Sequence, residues 1–294
     1  MHPGQIATVR RFNRLATQRA GALEGRFLGR DRPLGESRVL FEIGREGASL
    51  RHLRSTLGLD SGYLSRLVQA LVAKGLARLE PGAEDERVRQ ARLTRSGLAE
   101  LDEINRRSDE AAKAILTRLS EGNRSRLAAG MEEVHLLLTA AGVEFREVGS
   151  TSPAAKWCLS RYFEELARRF DTGFDPERSV AARPSEFSPP NGVFLVAEVD
   201  GRTVGSGCVT RVGPRIGYIK RMWLDESLRG LGLGRRLLAA LERAAEGLGC
   251  FVVRLETNSA LHQAIQLYKN SGYEEVDAFN DEVYAHHWFE KGLG

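Results

Sequence analysis

Apolar residues recur at helical spacing through most of the first half of the chain and give way to strand-like runs in the second. Ile6, Val9, Phe12, Leu15, Ala16 and Leu23 predict a long first helix over residues 5–28. A shorter helix runs from Ser37 to Gly44. Ser49 then precedes Leu50, Leu53 and Leu57, and Gly58 stops that third helix. Leu64, Leu67, Val68 and Leu71 form the apolar stripe of a fourth, Ser61 to Lys74, which either Asp60 or Ser61 caps through a side-chain oxygen. Leu76–Glu80 and Val88–Thr94 read as two strands around a polar turn over 81–87. From Arg95 to Leu138 the pattern is helical almost throughout, with Ile104, Ile115, Leu119, Leu127 and Met131 on its apolar side.

Periodicity fades over 140–153, so the boundary falls near residue 145 and divides the chain into 1–145 and 146–294. A helix from Ala154 to Phe170 carries Leu159, Tyr162, Phe163 and Leu166. The proline-containing loop 171–190 after it is of a length that is functional or mobile in a compact domain. Val193–Val199 and Thr203–Val212 pair about an Asp200-Gly201 turn as a hairpin. Ile216–Leu224 is a strand feeding a glycine-rich turn and a helix. A strand from Phe251 and an amphipathic helix with Leu267 and Tyr268 follow. The stretch Ala278 to Lys291 reads as a final strand, on which His286 and His287 point to opposite faces and make no paired metal site.

Composition narrows the class. At 294 residues, 42% hydrophobic and 28% charged, the chain fits two ordinary globular domains. No apolar run reaches membrane-spanning length, and the arginine-rich start lacks a signal core, so the expectation is a cytoplasmic protein without membrane contact. Cys158, Cys208 and Cys250 are isolated, which indicates neither a disulfide framework nor a metal site. Charge is uneven: residues 1–95 hold 18 Lys and Arg against 10 Asp and Glu, the balance a phosphate backbone would attract.

The candidate chemistry sits in two places. In the first half, helix, short turn and helix followed by two strands make a winged helix-turn-helix. Leu59-Asp60-Ser61-Gly62-Tyr63-Leu64-Ser65-Arg66-Leu67, then Asp85-x-Arg87, then Leu93-Thr94-x-x-Gly97 resemble the MarR family of regulators. The resemblance implies a homodimer on double-stranded DNA, with Ser61, Tyr63, Ser65, Arg66 and Gln69 in the major groove and Arg87 and Arg89 on the wing. Arginine and glutamine hydrogen-bond guanine and adenine edges, which favours DNA over a module for protein contact alone. Periodicity leaves open whether the flanking helices interlock between two copies or form a bundle within one.

In the second half, Arg229-x-x-Gly232-x-Gly234 joins a strand to a helix. A glycine-rich helix entry is an anion-binding concavity, because a phosphate approaches main-chain N–H groups without meeting a Cβ. A Walker loop is excluded by the missing Gly-Lys-Ser/Thr, and a dinucleotide fingerprint by the G-x-G-x-G spacing of Gly230, Gly232 and Gly234. This arrangement, with Leu267-Tyr268-x-x-x-Gly272-Tyr273 downstream, resembles the GNAT N-acetyltransferases. The whole chain is similar to fusions of a MarR domain with a GNAT domain.

That resemblance implies a multidomain chain, mainly-α ahead of an α/β fold with a mixed central sheet. It implies acetyl-CoA as cosubstrate, its diphosphate on the main chain of Arg229, Gly230, Leu231, Gly232, Leu233, Gly234 and Arg235. Its pantetheine arm would lie along Met222, Trp223 and Leu224, and no metal is implied. Tyr268 would protonate the departing thiolate, and a main-chain N–H of the 222–224 segment would serve the oxyanion. The acceptor is an unidentified amine, small molecule or protein lysine. The family's glutamate on the strand before the loop is absent at Gly217-Tyr218-Ile219-Lys220, leaving Glu256 or ordered water as base. Its asparagine is replaced by Leu261, with Asn258 three residues earlier as substitute. Three readings follow: a bifunctional regulator and acetyltransferase, a non-catalytic acetyl-CoA or ligand sensor that modulates DNA binding, and an acetyltransferase whose winged helix recruits partners.

Overall fold

The computed structural model describes residues 2–19, 27–82, 89–179 and 184–294. They form two compact units, residues 1–129 and 130–294.

In the first unit, α1 (Pro3–Arg19) buries no residue. Of the helix predicted over residues 5–28, residues 20–26 lie outside the described residues. A single 3-10 turn at Phe27–Gly29 leads to α2 (Leu34–Ile43). That helix begins three residues before Ser37, because Pro33 supplies the extended N-cap backbone. β1 (Ala48–Ser49) precedes α3 (Leu50–Leu57), where Ser49 accepts a hydrogen bond from His52 N. For α4 (Ser61–Ala73) the cap is Asp60, whose Oδ1 accepts from Tyr63 N at 2.9 Å. β2 (Ala77–Pro81) and β3 (Arg89–Leu93) pair antiparallel, and β1 adds on the other edge of β3. Residues 83–88, Arg87 included, lie outside the described residues. Leu40, Ile43, Leu53 and Leu71 are wholly buried at the centre of this unit.

The helical stretch that follows is two helices, α5 (Arg95–Leu116) and α6 (Glu121–Gly142). Arg124 Nε reaches back to the carbonyls of Leu116 and Leu119 at 2.9 and 3.0 Å, satisfying acceptors freed by the break.

The second unit is a seven-stranded mixed sheet. Its strands are β4 (Glu144–Val148), β5 (Gly192–Val199), β6 (Arg202–Arg211), β7 (Ile216–Leu224), β8 (Val252–Thr257), β9 (Glu274–Val276) and β10 (His287–Gly292). The order is β4-β5-β6-β7-β8-β10-β9, and only β7 and β8 run parallel. Asp200 and Gly201 turn between β5 and β6 with φ of 50° and 71°, the backbone a two-residue hairpin asks for. The helices are α7 (Pro153–Arg169), α8 (Leu233–Gly247) and α9 (His262–Lys269).

Alternation along β5 divides the core. Val193 and Leu195 join the cluster under α8 with Leu237, Leu241 and Phe289, while Phe194 and Val196 join the one under α7 with Ala155 and Cys158.

The final strand is shorter than its sequence suggests. Residues 278–286 form a loop, and only His287–Gly292 enters the sheet. The polar side chains there bond their own backbone: Glu282 N donates to Asn280 Oδ1 at 3.5 Å and Tyr284 N to Glu282 Oε1 at 3.3 Å. With His286 outside the strand, it and His287 are not on opposite faces. Each has a ring nitrogen 3.1 Å from Ser259 Oγ. Among the described residues no helix is long and apolar enough to cross a membrane.

Candidate active site and nucleic-acid face

The site begins with an irregularity in β7. Its register with β6 runs Ser206↔Trp223 and then Cys208↔Lys220, so β7 carries one extra residue, with Arg221 at φ 55°. A bulge bends its strand and interrupts pairing. On the other side, β7 pairs with β8 over only three positions, Ile216↔Val252 to Tyr218↔Arg254. Beyond Tyr218 the two strands diverge, and Met222, Trp223 and Leu224 line the resulting cleft of about 640 Å³.

The glycine-rich turn closes one end of this cleft. Gly230 and Gly232 have φ of 77° and 81°, and a Cβ at either would meet nothing within 4 Å. Gly232 caps α8 with no side-chain oxygen, so the first N–H groups of the helix keep no capping partner. Leu231 and Leu233 pack into the core beside Val204 and Leu228, leaving their main chain to form the surface. The turn is therefore an open amide cradle of the kind a diphosphate needs. Arg235 is exposed at its rim.

The Arg229 side chain is turned toward protein acceptors. Its Nε and Nη2 donate to Leu224 O at 3.0 and 2.7 Å, and Nη2 also reaches Glu165 at 2.5 Å. The guanidinium ties the strand end to the loop, and the Leu224 carbonyl is already occupied. The Arg229 side chain thus serves as a brace, and the residue still lines the cleft. Glu165, itself buried, also accepts from Trp223 Nε1 at 3.0 Å and pairs with Arg169 at 2.8 Å. Arg236 is likewise structural: its guanidinium donates to the carbonyls of Ala140 and Val143 at 2.7 and 2.5 Å.

A second pocket lies on the other side of Tyr268. Its walls include Phe163 of α7, Phe170 at that helix's C-cap, Phe174 and Ser179 of the following loop, and Tyr284. Lys220, Arg221, Glu256 and Glu282 bring charge to it. The two cavities share six residues, Tyr162, Leu166, Met222, Leu261, Ala264 and Tyr268. The Tyr268 hydroxyl has no hydrogen-bond partner among the described residues. Burial, then the nearby Glu256 charge, pushes its pKa up, so it is a proton donor at neutral pH.

Glu256 is tied to the strand that lacks the expected glutamate. Tyr218 donates to its carboxylate, Asn280 Nδ2 donates to Tyr218 Oη at 2.5 Å, and Trp288 Nε1 donates to Asn280 Oδ1 at 2.8 Å. Lys220 Nζ stands 4.0 Å away. Burial raises the Glu256 pKa, and the Tyr218 hydrogen bond and Lys220 offset that only in part. A carboxylate with raised affinity for a proton, on the wall of a pocket, can act as a base. Asn258 lines the same pocket, but its carboxamide is engaged: Nδ2 donates to Tyr284 O at 2.7 Å and Oδ1 accepts from Ala260 N at 2.9 Å.

Tyr218 and Arg221 escape sequence reasoning. Both depend on strand register and on the bulge, and neither sits in a motif. Among the described residues no group of three or more His, Cys, Asp or Glu is placed to hold a metal ion.

In the first unit, Ser61, Tyr63, Ser65, Arg66 and Gln69 of α4 are all exposed, while Leu64, Leu67, Val68 and Leu71 are buried. The Arg66 guanidinium lies over the Tyr63 ring at 5.6 Å from its centre. Arg89 is exposed at the start of β3.

Known proteins match both units. The acetyltransferase (GNAT) family model matches residues 159–273, and the MarR family model matches residues 29–88. An IAA acetyltransferase of Azospirillum brasilense is 31% identical over 118 residues, covering 40% of this chain and 76% of that protein. An uncharacterized N-acetyltransferase of Schizosaccharomyces pombe is 30% identical over 128 residues, covering 42% of this chain and 77% of the relative. A GNAT-family acetyltransferase structure from Staphylococcus aureus, 17% identical, covers 52% of this chain and 99% of its own, with a TM-score of 0.44. With its divergent parallel strands, glycine cradle and matching relatives, this chain belongs to the GNAT acetyltransferase family and carries a MarR-family domain ahead of the acetyltransferase domain.

Proposed function

We propose that the protein is a DNA-binding regulator and an acetyl-CoA-dependent N-acetyltransferase in one chain, residues 1–145 serving the first role and 146–294 the second. The observation that carries the enzymatic reading is the junction of two cavities at Tyr268. One runs to the amide cradle, the other to Glu256.

The residues fit the cosubstrate. The main chain from Gly230 to Arg235 would hold its diphosphate, and Met222 and Trp223 would line its pantetheine arm as an added strand would. Bound acetyl-CoA supplies an acetyl thioester. Glu256, ionised and positioned by Tyr218, takes the proton from an amine arriving through the aromatic pocket. A main-chain N–H of the Met222–Leu224 segment donates to the carbonyl oxygen as negative charge develops there. Tyr268 gives its proton to the sulfur as the carbon–sulfur bond breaks, leaving an amide and a free thiol.

On the DNA side, the exposed hydrogen-bonding face of α4 suits the major groove. Ile6, Val9, Phe12 and Leu15 of α1 are exposed together, an apolar stripe a second copy of the chain would cover.

The test is thiol release from acetyl-CoA with a panel of amines, alongside calorimetry. Tyr268→Phe is expected to lower kcat by about 10²-fold or more while retaining acetyl-CoA affinity. Binding without turnover on any amine would make the protein a sensor. No acetyl-CoA binding would remove the enzymatic reading altogether.

A further inference from the structure

The second pocket carries information about the acceptor itself. Arg221 lines it from the bulge of β7, in the left-handed backbone region at φ 55°. Its guanidinium lies over two rings, 5.0 Å from the centre of Phe187 and 5.6 Å from that of Phe163. Among the described residues it has no carboxylate partner and makes no side-chain hydrogen bond. Arg229 and Arg169, which line the larger cleft, are committed to protein acceptors, Arg229 to Glu165 and Leu224 O and Arg169 to Glu165, while Arg235 stands exposed at that cleft's rim, outside the second pocket. A half-buried guanidinium over two rings, with no hydrogen bond of its own, keeps its donors available. That planar fork matches a carboxylate. Taking such a charge partly out of water is unfavourable until an anion joins it.

The remaining charged groups come from different elements, with Lys220 Nζ 4.0 Å from Glu256. Lys220 and Arg221 come from β7, whereas Glu256 comes from β8 and Glu282 from the loop before β10. Between them the walls are rings: Phe163 stacks on Phe174 at 5.6 Å, and Phe174 and Phe170 meet Tyr284 at 4.8 and 5.8 Å. An amine with an apolar body alone would satisfy Glu256 and the rings and leave Arg221 unmatched. A polyamine or a lysine in a basic peptide would set a second cation against it.

We propose that the acceptor is zwitterionic, a free aromatic amino acid or a close analogue. Its carboxylate pairs with Arg221, its amine faces Glu256, and its ring lies among Phe163, Phe170, Phe174 and Tyr284. This rests on the acetyl-transfer reading above and names the substrate class of that site.

Three probes separate the parts: L-phenylalanine, 2-phenylethylamine without the carboxylate, and 3-phenylpropionate without the amine. Thiol release and calorimetric binding are measured for wild type, Arg221→Gln and Arg221→Lys, all non-glycine residues at the same positive φ. In wild type, L-phenylalanine is acetylated with kcat/KM about tenfold or more above 2-phenylethylamine, the gain of one charge-assisted contact. 3-Phenylpropionate binds and competes without turnover. Arg221→Gln raises KM for L-phenylalanine by about tenfold or more and leaves 2-phenylethylamine within about twofold, and Arg221→Lys recovers part of the loss.

The proposal is overturned if 2-phenylethylamine matches L-phenylalanine in wild type. Equal loss for both amines in Arg221→Gln, or no binding of any probe, overturns it too. Arg221-dependent binding of L-phenylalanine and 3-phenylpropionate without thiol release would end the transfer reading and keep the carboxylate site. Turnover of peptide lysines with no L-phenylalanine binding would do the reverse.

Discussion

Gly232 and Gly249 stand at opposite ends of α8 with almost the same φ, 81° and 80°, and a Cβ on either meets nothing within 4 Å. Alanine at either position therefore costs backbone strain and no collision, about 1–2 kcal/mol for an L-residue held in the left-handed region. For a unit of this size that lowers Tm by about 2–8 °C in both variants. The function of the two sites differs. At Gly232 the new methyl projects from the amide cradle, where a diphosphate must come within hydrogen-bond distance of the main chain. Losing one charge-assisted bond there costs about 1.5–3 kcal/mol, roughly a 10- to 150-fold rise in Kd. Differential scanning fluorimetry reads the strain, and isothermal titration with acetyl-CoA reads the cradle. The expected result is similar Tm losses, with weakened acetyl-CoA binding in Gly232→Ala and near wild-type binding in Gly249→Ala. Wild-type affinity in Gly232→Ala, or the same loss in both, would show that the turn does not grip the cosubstrate.

Other outcomes follow from the same geometry. Glu256 must be ionised to accept a proton, and burial raises its pKa, so kcat/KM should climb with pH through a limb above the ordinary carboxylate range. Tyr218→Phe removes a donor that favours the charged carboxylate and should move that limb to still higher pH; an unmoved limb in a rate–pH profile would exclude Glu256 as the base. Leu237, wholly buried beneath the sheet, should cost about 2–5 kcal/mol as Leu237→Ala, measured by urea denaturation. Arg66→Ala should weaken binding to duplex DNA and, if the guanidinium meets a phosphate, flatten the salt dependence by about one in slope, read by fluorescence anisotropy. Unchanged binding would remove α4 from the DNA face.

What the residue pattern discloses, and what it hides, has a physical basis. Local signals translate directly: Leu64, Leu67, Val68 and Leu71 are the buried stripe of α4, Asp200-Gly201 is the hairpin turn, and Gly232 opens α8. Each depends on a few adjacent residues. The place of the break between α5 and α6 is weakly marked in the sequence: Gly122 lies just past it, inside α6, and Arg124 folds back on carbonyls that the break frees. Polar stretches with strand-like spacing hid the loop at 278–286, where Asn280 and Glu282 divert the backbone. In the active site, the backbone cradle was legible because glycine spacing is itself the signal. The partnership of Tyr218 with Glu256 was not, since it arises only when two distant strands lie parallel in one register. Arg229 was legible as a residue but not as a brace, because its partner Glu165 lies 64 positions earlier in the chain.

The short ladder between β7 and β8 has a wider consequence. A strand with open amides at the rim of a sheet is a hazard, since any other extended chain can attach to it and begin aggregation. This protein places its unfinished edge indoors, facing a slot bounded by α9 on one side and Trp223 on the other. Only something slender, flexible and rich in amide groups can thread such a slot. The missing rungs thus act as a docking rail for a thin linear arm.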